Sequence, residues 1–61
     1  MIEWTPGSLR LLRRNAHRGY TLKQLANRMG CTPAECDLAL WALMGRTPGA
    51  AAIHLNRKRA A

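Results

Sequence analysis

The sequence has no phenylalanine, and its only aromatic residues are Trp4, Tyr20 and Trp41. They stand apart from the basic clusters, which argues against a surface that stacks the bases of single-stranded nucleic acid. Acids are equally scarce: Glu3, Glu35 and Asp37. No two of them are placed to share a site, no Ser/His/Asp set is evident, and no glycine-rich loop is present to cradle a phosphate. The chain is therefore expected not to be an enzyme and to carry no cofactor. No apolar run approaches the length of a membrane span. The start of the chain lacks the charged-then-apolar layout of a secretory signal. A cytoplasmic protein without membrane association is the expectation. Cysteine occurs twice, at Cys31 and Cys36. Both are expected as reduced thiols in that compartment. Their spacing is not the short pair spacing of zinc ligands, and His17 and His54 would complete a metal site only by coincidence of fold.

Positive charge, by contrast, is abundant. Ten Lys and Arg against three acids give a formal net charge of +7 in 61 residues. So lopsided a balance favours a polyanionic partner: DNA, RNA, an anionic membrane surface or an acidic patch on a protein. The length allows one domain, and a chain this short buries a modest core. Hydrophobic residues make up 48% of it, which argues against disorder throughout.

Three Thr-Pro pairs punctuate the chain: Thr5-Pro6, Thr32-Pro33 and Thr47-Pro48. Each reads as a helix start, with Thr capping an orphan N–H and Pro in the first helical position. Thr32 with Glu35 and Thr21 with Gln24 have capping-box spacing. Gly19, Gly30 and Gly45 suit the left-handed position just past a helix end. These signals predict an all-α domain covering residues 1–61, with helices at about 6–18, 22–29, 33–44 and 48–57 and a mobile basic tail at 57–61. No stretch alternates polar and apolar residues long enough to predict a strand.

The segment from Leu22 to Trp41 has the pattern of a helix-turn-helix. Ala26 lets the next helix approach, Gly30 makes the turn, and Cys36 takes an inward position. Leu25, Met29, Leu40 and Leu43 complete the inner surface, and Leu9, Leu12 and Ala16 present one apolar face of the first helix. A small trihelical core with a fourth, C-terminal helix is the expected architecture. Trp4-Thr5-Pro6, Leu9, Leu11-Leu12-Arg13, Gly19-Tyr20-Thr21, Gln24-Leu25-Ala26 and Met29-Gly30 resemble the N-terminal domain of the GcrA cell-cycle regulators of alphaproteobacteria. More loosely, they resemble other homeodomain-like helix-turn-helix proteins that start with Trp-Thr. The resemblance runs without gaps over about the first half of the chain. It implies a trihelical DNA-binding fold, a role in transcription at the nucleoid, and a partner such as RNA polymerase or a sigma factor. It also implies that Thr32 and the positions after it enter the major groove.

The third helix departs from that pattern. Its inner face is expected to carry Cys36, Ala39, Leu40 and Leu43, and its outer face Ala34, Leu38, Trp41 and Ala42. A base-reading face offers Arg, Lys, Asn, Gln, Ser or Thr; none occurs between Thr32 and Arg46. Glu35 and Asp37 would repel phosphates, although they suit a helix N-terminus. Leu38 and Trp41 call for a cover, supplied either by Ala51, Ala52 and Leu55 of the fourth helix or by a partner such as a second copy. The basic residues lie elsewhere. Arg10, Arg14, His17 and Arg18, flanked by Arg13, share the outer face of the first helix. Arg57, Lys58 and Arg59 form the tail, and Lys23 and Gln24 begin the second helix, where such proteins touch the DNA backbone. With Thr32 and Arg46, these are the expected DNA contacts. They predict binding dominated by phosphates, with little sequence choice. The competing expectation is a protein-interaction module that uses Leu38 and Trp41.

Overall fold

Every helix of the chain opens on a threonine. In the computed structural model, which describes residues 3–60 with side chains through residue 57, the helices are α1 (Pro6–His17), α2 (Leu22–Met29), α3 (Pro33–Leu43) and α4 (Pro48–Ala60). Thr5, Thr21, Thr32 and Thr47 each accept, on Oγ1, the backbone N–H three residues on, at 3.1–3.2 Å. This satisfies a donor that the first turn leaves without a partner. The boxes at Thr21/Gln24 and Thr32/Glu35 form as expected, and a third forms at Thr5, where the Ser8 hydroxyl accepts from the Thr5 N–H at 2.9 Å. Serine in place of Glu or Gln hid that third box.

The helix ends follow the glycines. Gly30 adopts φ +73°, a left-handed conformation that costs other residues strain. From there the Ala26 carbonyl accepts from the N–H groups of both Gly30 and Cys31, at 2.9 and 3.1 Å. Gly19 and Gly45 have positive φ in the same way. Two expected ends move by one residue: Arg18 caps α1 and Met44 caps α3, each outside its helix. The larger correction concerns the basic tail. Helix α4 does not stop at Arg57 but runs to Ala60, because no Gly or Pro interrupts the good helix formers after Gly49. Arg57 is an exposed helical residue; the side chains of Lys58 and Arg59, and all of Ala61, fall outside the described residues.

The four helices pack around one core made of Trp4, Leu9, Leu12, Leu25, Ala26, Cys36, Ala39, Ala42, Leu43, Ala51, Ala52 and Leu55. Helices α1 and α3 touch each other and both of the others, whereas α2 and α4 do not touch. The α1/α3 pair is thus the centre, with α2 and α4 as two separate flanks. Small residues make this possible. Ala39 and Ala42 on α3, with Ala51 and Ala52 on α4, let the helix axes approach closely. Ala42, expected on the outer face of α3, is 4% exposed. It lies at the edge of the inner arc, and the helices packed against α3 widen that arc to include it. Trp4 is buried ahead of α1, and its carbonyl accepts from Asn56 Nδ2 of α4 at 3.4 Å.

A repeated device ties the helix starts to this core. In a hydrophobic staple, the residue before the N-cap packs on the fourth helical residue. Trp4 and Leu9 occupy those positions on α1, Tyr20 and Leu25 on α2, and Cys31 and Cys36 on α3, and all six belong to the core or pack against it.

Candidate nucleic-acid interface

Helix α1 separates its residues cleanly by face. Leu9 and Leu12 are fully buried, and Asn15 and Ala16 continue the inward side. At roughly 100° per residue, Arg10, Arg14, His17 and Arg18 fall on the opposite side with Arg13 on its flank, and all five are exposed. Because α1 meets its three neighbours through its apolar side, that basic side is left to solvent. None of the four arginines makes an ion pair among the described residues. Like charges three and four positions apart repel, so the stripe weakens its own helix unless an anion lies on it.

The other expected contacts divide into free and occupied groups. Lys23 is exposed at the start of α2. Gln24 is exposed too, but its Oε1 accepts the Thr21 N–H at 2.9 Å, which leaves its amide donor available. The Thr32 hydroxyl is committed on both sides. It accepts from the Glu35 N–H at 3.2 Å and donates to Glu35 Oε1 at 3.1 Å. Arg46 donates from Nη1 to the Ala42 carbonyl at 3.2 Å, where a cation suits the C-terminal end of α3. Arg28 stacks its guanidinium over the Tyr20 ring, 4.6 Å from the centroid. The structure therefore groups Arg10, Arg13, Arg14 and Arg18 on one surface, and engages Thr32, Gln24 and Arg46 in holding helix ends.

Helix α3 presents a different surface. Leu38 is 57% exposed and Trp41 63%, so α4 does not cover them; its Ala51, Ala52 and Leu55 go into the core instead. Met44, one step beyond the helix, is exposed beside this face in sequence and extends its apolar character. The sequence pattern does not single out Met44, which stands at the end of the expected helix. Asp37 and Ala34 are the other exposed residues of this face. No base-reading side chain is among them.

The two thiols lie where the staple puts them. Cys31 Sγ and Cys36 Sγ are 3.3 Å apart, and both cysteines are free. The Cys36 thiol is pushed up to about 12 by burial first, then by its hydrogen bond with Cys31 and by the negative charge that Cys31 and Glu35 can carry. Among the described residues no group of three or more His, Cys, Asp or Glu could hold a metal ion. No described helix is long and apolar enough to cross a membrane. No protein-family model matches the chain, and no curated protein or solved structure matches it.

Proposed function

We propose that the chain is a DNA-binding helix-turn-helix regulator that grips the duplex mainly through phosphates. The observation that carries this reading is the arginine stripe of α1, exposed, opposite the core and free of carboxylate partners among the described residues. Arg10 and Arg18 are separated by about 12 Å along the helix axis. That matches the ~12 Å width of the major groove, so the two ends of the stripe reach phosphates on both sides of it. Helices α2 and α3, joined through Gly30, Cys31 and Thr32, have the connection length and turn glycine of a helix-turn-helix. The resemblance to the GcrA N-terminal domain agrees with this reading. Helix α3 offers the bases no hydrogen-bonding set, so sequence choice is modest and comes from DNA shape.

The test is a fluorescence-anisotropy titration of labelled random duplex at two salt concentrations. Tight binding at low salt that collapses at higher salt is expected; no binding at low salt would sink the proposal.

A second reading rests on Leu38 and Trp41, whose exposure suits a protein-binding surface. Under the DNA-binding reading this face joins two copies, which sets two basic stripes on one duplex; under the second reading the partner is a subunit of the transcription machinery such as RNA polymerase or a sigma factor. Under it, Trp41→Ala abolishes function while the arginine changes are mild. The reverse ranking, with light scattering to record the oligomeric state, counts against it.

A further inference from the structure

We propose that Cys31 and Cys36 form a redox-modifiable dithiol, closing to a disulfide that staples the turn before α3 to the first turn of that helix. The pair stands apart from whatever the protein binds. Two thiols sit 3.3 Å apart, one on either side of the Thr32 cap. An approach of roughly 1.3 Å brings the sulfurs to the ~2.04 Å of a disulfide. Most of that movement falls to Cys31, which lies in a three-residue connection next to Gly30; Cys36 is held in the core by its neighbours.

Access divides the labour between the two sulfurs. Cys31 is half-buried and open to a small oxidant, whereas Cys36 is fully enclosed. A hydroperoxide is an oxidant of the right size. The Cys31 thiolate attacks one peroxide oxygen, the O–O bond breaks, and the other oxygen leaves as water once protonated. Cys31 is then a sulfenic acid, oxidised by two electrons. Cys36 sulfur attacks the Cys31 sulfur, its proton joins the departing hydroxide, and a second water leaves. The net change consumes two thiols and one hydrogen peroxide and yields one disulfide and two waters. A dithiol reductant reverses it by exchange. The high proton affinity of Cys36 keeps it the slower, resolving partner. The nearness of Cys36 diverts Cys31 from deeper oxidation.

The experiment uses the reduced 61-residue chain and equimolar hydrogen peroxide. Trypsin leaves both cysteines in the peptide 29–46, and a protease that cuts after Glu35 separates them into 29–35 and 36–46. The expected result is a loss of two hydrogens from the intact monomer, complete loss of alkylation at both thiols, and two peptides that remain joined until dithiothreitol is added. In Cys36→Ala, which keeps a small apolar side chain in the core, Cys31 is expected to accumulate as a sulfenic acid that dimedone traps. If that variant does not fold, the map of the unaltered chain decides by itself. Three outcomes overturn the proposal: oxygen added at Cys31 with Cys36 still alkylatable, disulfides only between chains, or two thiols that both survive the peroxide.

Discussion

The two tryptophans have opposite fates, and one residue of context decides each. Trp4 stands directly before the N-cap Thr5, in the staple position, and is 4% exposed; Trp41 stands on the outer arc of α3 and is 63% exposed. Trp4→Ala removes a large side chain from the core and is expected to cost about 3–5 kcal/mol, enough to unfold much of a domain this small. Trp41→Ala is expected to stay within about 0.5 kcal/mol of the parent. Urea titration followed by circular dichroism distinguishes the two, and an equal loss for both would contradict the burial difference. Cys36 supports a pH prediction of the same kind. Its thiol sits at about 12 in the fold against an ordinary value of 9.0. Between those values the unfolded chain releases a proton that the folded chain keeps, so stability falls as pH rises. Below pH 9 both states hold the proton and the effect vanishes. Comparing unfolding midpoints of the parent and Cys36→Ala from pH 8 to 11 isolates this contribution. The slope is expected to be shallower in the variant, and identical slopes would refute the assignment.

At the scale of elements, α1 is a two-faced helix whose outer side has charge but no partner among the described residues. Replacing Arg10, Arg14 and Arg18 by Ala is expected to flatten the plot of log affinity for duplex DNA against log salt by up to about 2.7, close to 0.9 for each phosphate no longer neutralised. The same triple variant is expected to keep its helix content, because none of the three side chains enters the core. An unchanged salt slope would remove α1 from the interface. Much of this element-level picture was legible beforehand. Thr-Pro and Gly mark helix starts and stops through local chemistry, so the helices and their order could be read residue by residue. The exposed arginines followed from the 3.6-residue period. What escaped depended on packing between elements. Ala42 is buried because the helices packed around α3 cover more than its inner arc, which no periodicity within α3 encodes. The basic run at Arg57, Lys58 and Arg59 predicts a tail, but it contains no helix breaker, and α4 continues past Arg57. The proximity of the thiols follows from the cap at Thr32, which makes Cys31 and Cys36 the two members of a staple; the spacing of the cysteines alone does not indicate it.

At the scale of the whole molecule, one small core holds a surface of strongly uneven charge together. With helices 8 to 13 residues long and a core rich in alanine, stability is modest. Self-repulsion along α1 lowers it further. A polyanion that binds only the folded state is therefore expected to raise the melting temperature markedly at low salt, with the gain disappearing as salt is added. A thermal scan with and without duplex DNA measures this. No shift at low salt would mean that the folded state does not bind the duplex.

The hydrogen bond from Asn56 to the Trp4 carbonyl joins residues 52 positions apart. It places the start of α1 beside the last turns of α4, so a clamp closes between the first and last helices of the fold. A chain cut in the connection between α3 and α4 would keep this clamp and the shared core to hold its two pieces together.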